Sequence, residues 1–554
     1  MMYGNDSQIA SWRRQVVGFV ALASTVLAIG WVMAQDQVDQ PAASFFMPVE
    51  VPLVNVEVVV TDKEGRPVPG LTEADFEVFE DGEPVEVSHF FASLPPAEQP
   101  EGGGAVSMAP GVPHQELYLA LYIDDLDTDA RRRAATLAHL REFLEQPLPP
   151  NAKTMLVRFD GELHVASDFS DNNRQLLVAL DEIRNMSVIS PAREEQALFR
   201  QMQSATTDQR DQIREWLDTK PQPFGGEGGN PRPPQFNEPD NKPLDHDFLP
   251  EIHALARNKH TRSRASLDAL EQFVGYLHGV PGRKAVLWVG GLDTRPGEDL
   301  FLAYEELFPG NARRQGVNPM MEATQYDITL ELEELLHFAN SQRISFYTVS
   351  SLGEGLERIS STETRGRDAS RISGFTDLWG GEDALDMMSV STGGRTLADN
   401  RNLDRQLAQV STELRSYYSL GYPPPSLGDG KYHKITVNVR REGVRVRHRE
   451  GYQYTGDRDR MTDRTLAAAT LGVTDNPLGI ALETQPQEPR DEGGFLVPVM
   501  IRIPIGDLVL MPEADYHAAQ IAVYSVVRDD HGRLSDVHDR VYPIEIANDQ
   551  LLSA

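Results

Sequence analysis

The chain has 554 residues with 52 basic and 84 acidic side chains, a formal net charge of −32. That length exceeds one hydrophobic core, and 40% hydrophobic with 25% charged residues is the composition of a folded soluble protein, not of a fibrous or multi-spanning membrane chain. The acidic excess disfavours nucleic acid as a partner, and the lack of any cysteine excludes disulfides, thiolate metal sites and a cysteine nucleophile.

Arg13 and Arg14 precede an apolar run from Val16 to Ala34, which ends in Val32-Met33-Ala34 before a polar stretch. Residues 1–34 are therefore expected to be a signal peptide or an uncleaved N-terminal anchor. Either outcome exports everything after residue 35, to the periplasm, the cell envelope or the medium. Membrane contact is expected only through a retained anchor.

Leu53 to Val60 is rich in β-branched residues, and Phe76 to Glu80 leads through the turn Asp81-Gly82 to Val85-Glu86-Val87. Residues 48–93 thus read as a small β module, followed by a Pro- and Gly-rich linker over 94–113. Strands and helical periods then alternate. Leu117 to Ile123 is a continuous apolar run, as a strand covered on both faces requires. Helical stripes at Leu137, Leu140, Phe143 and Leu144, at Leu176, Leu180 and Ile183, and at Leu267, Leu270, Phe273, Val274 and Leu277 flank strands at Met155 to Phe159 and Ala285 to Val289. Leu335, Leu336 and Ala339 precede a strand at Ile344 to Val349, and Leu403, Leu407, Val410 and Leu414 mark a last helix. This alternation predicts an α/β domain over 114–425 with a mostly parallel sheet, interrupted by an insertion over 187–261. Its ligand site should lie at the carboxyl ends of the strands. A hairpin turning at Glu442-Gly443 is expected within 429–456, and a further β module within 488–554.

The order of motifs resembles the von Willebrand factor type A domain, and more closely its acidobacterial VWFA-related branch. The matching pieces are Val58 to Phe90, LYLALYIDDLDT (Leu117 to Thr128), GVPGRKAVLWVGG (Gly279 to Gly291), STGGRTL (Ser391 to Leu397), YYSLGYPPP (Tyr417 to Pro425) and the stretch from Asp429 to Tyr452. The resemblance implies a doubly wound, mostly parallel sheet flanked by small β modules. It also implies a non-catalytic protein-binding role of adhesion or scaffold type, with a protein partner.

In that family an Asp-x-Ser-x-Ser loop, a Thr from a second loop and an Asp after the fourth strand hold Mg²⁺, and hard dications do require such oxygen ligands. Carried onto this chain, the resemblance makes Asp124, Asp125, Asp127 and Thr128, with Asp293 as an outer contributor, a degenerate site for Mg²⁺ or Ca²⁺. The pattern is broken in three places. Counting from Asp124 the hydroxyl positions are Leu126 and Thr128, and counting from Asp125 they are Asp127 and Asp129. The fourth strand is followed by Gly290-Gly291, and only Thr261 stands for the middle Thr. Without a metal, the same acids would cap the next helix, with Asp127 or Thr128 in the capping position, leaving a metal-free scaffold.

A strand ending in Asp-x-Asp also resembles the haloacid-dehalogenase-like phosphatases, with Asp125 as nucleophile and Asp127 as general acid/base. That family has Thr where this chain has Asp129, and no acidic pair follows the strands at Ala285 or Ile344. The sequence contains no His-Glu-x-x-His helix, phosphate loop or Gly-x-Ser-x-Gly elbow. His433, His448 and the basic stripe Arg440 to Arg449 read as solvated surface, and Gly393-Gly394 as a tight turn between helix and strand.

Overall fold

The computed structural model describes residues 17–22, 53–93, 116–149, 152–188, 194–206, 247–308, 311, 316–351, 382–397, 402–425, 429–454, 456–471, 476, 479–490, 495–504, 510–529 and 533–548. In chain order the first strands are β1 (Val17–Leu22), β2 (Val54–Thr61), β3 (Phe76–Glu80), β4 (Glu83–Val85) and β5 (His89–Ser93). There follow β6 (Leu117–Asp124), β7 (Ala152–Phe159), β8 (Leu163–Ser170), β9 (Arg283–Gly290), β10 (Ile344–Ser350) and β11 (Arg395–Leu397). Next come β12 (Tyr417–Tyr422), β13 (Tyr432–Val439), β14 (Arg445–Arg447) and β15 (Gly451–Gln453). The last are β16 (Ala481–Thr484), β17 (Glu488–Pro489), β18 (Phe495–Leu496), β19 (Val499–Arg502), β20 (Met511–Pro512), β21 (Tyr516–Arg528) and β22 (His538–Ala547). The helices are α1 (Ala130–Glu145), α2 (Asn173–Asn185), α3 (Leu249–His278), α4 (Glu298–Leu307), α5 (Pro319–Thr324), α6 (Thr329–Ser341), α7 (Glu382–Ser391), α8 (Leu403–Arg415) and α9 (Asp457–Leu471). Residues 194–206 are also helical. Two compact units result: Leu53–Val274 with Gly282–Tyr454, and Met1–Pro52 with Gly275–Pro281 and Thr455–Ala554.

The first unit is built on a six-stranded sheet in the order β11-β10-β9-β6-β7-β8, parallel except for β8, which runs antiparallel to β7. Numbered along the chain, that is the doubly wound order 3-2-1-4-5-6, whose switch point lies between β6 and β9. All eight residues of β6 are buried, as its uninterrupted apolar run predicts. Period-two alternation then divides the strand between two layers. Leu117, Leu119, Leu121 and Ile123 share one core with Leu137 and Leu140 of α1, Leu176 and Leu180 of α2 and Leu407 and Val410 of α8. Tyr122 faces the other way and packs on Phe273 of α3, ring centroids 5.2 Å apart.

The insertion is shorter than the sequence suggests. Residues 249–261, expected inside it, form the first turns of α3, because Ile252 and Ala256 continue the apolar stripe of the helix and are fully buried. The linker 94–113 and residues 207–246 of the insertion lie outside the described residues.

The expected N-terminal β module and the expected hairpin extension are one body. Sheet β14-β2-β12-β5 and sheet β15-β13-β3-β4 share a core of Val54, Val56 and Val58 with Phe76, Val78, Tyr418, Leu420, Ile435 and Val437. Strand β12, assigned from the sequence to the α/β domain, pairs instead with β2 and β5. The turn at Gly443, φ +77°, does not close a hairpin: β13 pairs with β3 and β15, while β14 crosses to β2. Arg440, Arg441 and Arg445 of the basic stripe are exposed, as expected, but Arg447, His448 and Arg449 are drawn into the body and correct the reading of that end as solvated surface. Arg449 is buried and donates to the carbonyls of Asn340 and of Asn55, the latter at 2.8 Å. Arg447 lies 2.5 Å from buried Glu413. His448 is half-buried, and its Nε2 accepts the Val437 N–H at 3.2 Å. His433 is also buried, Nδ1 2.8 Å from Asp81 Oδ2 and Nε2 3.1 Å from Asp429 Oδ1. Gly393 and Gly394 do form the expected turn between α7 and β11; a Cβ on Gly394 would lie 1.8 Å from the Phe346 carbonyl oxygen.

The second unit is built around the long strand β21, paired antiparallel with β1, β20 and β22. Two-stranded pairs β16–β19 and β17–β18 add to it, and α9 precedes them in the chain. Of the expected leader, only Val17–Leu22 is described, and it is a strand. Among the described residues no helix is long and apolar enough to cross a membrane.

Candidate functional site

Strand alternation decides where the aspartates after β6 go. Asp124, the last residue of the strand, points with Tyr122 toward α3, and Asp125 turns to the opposite layer. The two adjacent carboxylates therefore occupy separate environments.

Asp124 sits at the switch point, where Gly290 ends β9. A Cβ at Gly290 would lie 2.7 Å from the Asp124 Cβ, so only glycine admits the carboxylate here. Asp124 is 1% exposed. Its Oδ1 accepts the Leu126 N–H at 3.0 Å, while Oδ2 is buried with no hydrogen-bond partner. Burial pushes its pKa up to about 7, helped by the charges of Asp127 and Asp125 and opposed by the Leu126 amide and by Ser266 of α3.

Asp125 is an ion-pair anchor. Arg133 of α1 donates through Nε to Oδ1 at 2.5 Å and through Nη2 to Oδ2 at 2.9 Å, and Arg158 of β7 donates to Oδ2 at 2.6 Å. Arg133 Nη2 also donates to the Ile183 carbonyl at 2.8 Å, tying α2 to the same point. Thr128 is likewise committed: its hydroxyl lies 2.6 Å from Ser351 Oγ, just beyond β10. Neither Asp127 nor Thr128 caps α1, as the sequence suggests. Asp129 does so, accepting the N–H groups of Arg131 and Arg132 at 3.0 Å each.

Asp127 and Asp293 face a cation of the protein itself. Lys259 Nζ lies 2.7 Å from Asp293 Oδ2 and 2.9 Å from Glu195 Oε1, and the charge of Asp127 acts on the same ammonium at longer range. Arg262 Nη2 stands 4.0 Å from Asp127 Oδ1. Burial pushes the Asp127 carboxyl up to about 6 against the opposing pull of Lys259 and Arg262. Desolvation works against the charge of Lys259, yet Asp293, Glu195 and Asp127 outweigh it and hold its pKa well above the usual lysine value. Thr261 does not join them; it is exposed and its hydroxyl donates to Arg257 O of its own helix at 2.9 Å.

Of the residues expected to hold Mg²⁺ or Ca²⁺, three are engaged within the protein, whereas Asp124 and Asp127 each keep a buried Oδ2 with no hydrogen-bond partner. Both oxygens of Asp125 carry guanidinium hydrogen bonds, Asp293 is paired with Lys259, and Thr128 is spent on Ser351. Among the described residues, His, Asp and Glu ligand atoms converge in threes at Glu80, Asp81 and His433 and at His139, Glu142 and Asp404, not at the end of β6. The residues that shape the site but escape sequence reasoning are Lys259, Arg262, Ser263 and Ser266. Their spacing of i, i+3, i+4 and i+7 is one helix face, and the signal was hidden by ending the insertion at residue 261.

No family model matches the chain, and no curated protein matches it. Solved structures similar to it include a von Willebrand factor type A protein from Catenulispora acidiphila, 8% identical, covering 62% of this chain and 68% of that one with a TM-score of 0.25. A point mutant of the PilB minor pilin from Streptococcus sanguinis is 9% identical, covers 55% of this chain and 63% of that one, and has a TM-score of 0.22.

Proposed function

We propose that the chain is an exported, non-catalytic recognition protein of the von Willebrand factor type A kind, belonging to the acidobacterial VWFA-related branch, which docks a protein partner at the carboxyl ends of β6 and β9. The observation that carries this reading is the position of Asp124: a buried carboxyl at the switch point of a 3-2-1-4-5-6 sheet, where doubly wound domains bind their ligands. The sequence motifs from Val58 to Tyr452 support the family, and the apolar run after Arg13-Arg14 supports export. The phosphatase alternative is disfavoured by Asp125, whose oxygens are both engaged by arginines and are not free to attack phosphorus.

Photo-crosslinking in the native host tests the reading. A photoreactive residue replacing Arg295, on the loop after β9, is expected to give a discrete crosslinked product with an envelope protein. The same probe replacing Val178, exposed on α2, is expected to give none. No product at position 295, or the same products at both positions, would contradict the assignment of the face.

A further inference from the structure

Two carboxylates from two separate segments meet one ammonium in the first unit, and a third acts on it at longer range. Glu195 comes from the helical stretch 194–206 and Asp293 from the loop after β9, and Lys259 of α3 bonds both; Asp127, in the loop after β6, stands 4.0 Å from Arg262 on the same helix. The Lys259 side chain is 15% exposed, and its contacts of 2.7 and 2.9 Å are charge-assisted N–H···O distances. A divalent ion would instead gather six to eight oxygens at roughly 2.0–2.6 Å. Tethering makes the difference functional. A metal ion equilibrates with solvent and can be removed by a chelator, whereas a lysine side chain is present at fixed stoichiometry and pays no entropy of association.

We propose that Lys259 is the resident cation at the strand ends, compensating Glu195 and Asp293 in place of a divalent ion, so that this face is assembled and used without metal. Arg262, 4.0 Å from Asp127, adds a second fixed positive charge on the same helix face. The inference concerns how the strand-end loops are held together. It stands whether or not a protein docks there, and so fails independently of the crosslinking result.

Lys259→Ala removes the ammonium and leaves the carboxylates facing an open position that Ca²⁺ or Mg²⁺ can fill. In the full chain, thermal melting and calorimetry are run with each ion and with a chelator. The parent is expected to show no binding heat and no change of melting midpoint in either condition. Lys259→Ala is expected to melt lower and to recover part of the loss as Ca²⁺ is added, by mass action on the folded state. Lys259→Arg, which keeps a cation, should stay as indifferent to the ions as the parent. Saturable binding or chelator sensitivity in the parent would overturn the proposal. So would a folded Lys259→Ala chain that ignores both ions; if that variant does not fold, Lys259→Gln takes its place with the same expected gain.

Discussion

Arg133 grips Asp125 at two points, Nε to Oδ1 and Nη2 to Oδ2, with both side chains buried. A paired buried charge adds little net stability, but removing one partner strands the other in low dielectric. Arg133→Ala is therefore expected to destabilise the first unit by about 3–5 kcal/mol. Arg158 at 2.6 Å retains part of the compensation and sets the lower end of that range. Chemical denaturation followed by intrinsic fluorescence measures the loss, and replacing Asp125 as well, Asp125→Ala with Arg133→Ala, should return part of it. Asp125→Asn should lower stability and leave a phosphate-ester assay at its blank value; turnover by the parent that vanishes in Asp125→Asn would restore the phosphatase alternative.

Helix capping separates Asp129 from its neighbours. Asp129→Ala removes the acceptor for two N–H groups at the start of α1 and should cost about 0.5–2 kcal/mol. Hydrogen exchange of the Arg131 and Arg132 amides should accelerate in this variant and not in Asp127→Ala. Equal acceleration in both would mean that Asp127 shares the cap.

Gly290 tolerates no side chain. A Cβ there would lie 2.6 Å from the Trp288 ring and 2.7 Å from the Asp124 Cβ, so Gly290→Ala must push one of two buried groups aside. Overpacking of this kind costs about 1–3 kcal/mol. Thermal melting of Gly290→Ala beside Gly394→Ala checks the scale, since the second substitution meets backbone at 1.8 Å and should be the worse tolerated.

The β sandwich carries a pH-sensitive clasp. Desolvation alone would lower the His433 pKa, but hydrogen bonds to Asp81 and Asp429 and the nearby charge of Glu80 raise it above the ordinary imidazole value. Its contribution is complete below the unfolded pKa of about 6.5 and is lost as pH rises through the folded value. The His433 and Lys434 hydrogen bonds hold Asp81 below the usual carboxylate range, and the Lys431 amide with His433 does so for Asp429. Those contributions are present above the unfolded aspartate pKa of about 3.9 and are lost as pH falls through the folded values. The sandwich should be most stable between the two limits, and His433→Gln should flatten the decline on the alkaline side. An unchanged alkaline limb in melting curves of that variant would refute the clasp.

The central sheet was legible because its chemistry is local. Leu117 to Ile123 is apolar at every position, and that alone puts β6 between two covered faces with Asp124 at its carboxyl end. Pairing across long separations was not legible: β12 joins β2 across more than three hundred residues, and nothing in the YYSLGY pattern distinguishes that neighbour from the α/β sheet. The aspartates were found by type and missed by orientation. Alternation sends Asp125 to Arg133, on the next helix, and Asp124 toward α3, and the compensating charge at Lys259 lies in a segment that sequence spacing does not connect to the loop.

A crystal structure of the full chain grown with Ca²⁺ or Mg²⁺ in excess is the most direct measurement. The account predicts Lys259 Nζ between Glu195 and Asp293, and electron density for no ion at the ends of β6 and β9. A metal ion coordinated by Asp124 and Asp127, with Lys259 displaced toward solvent, would contradict it.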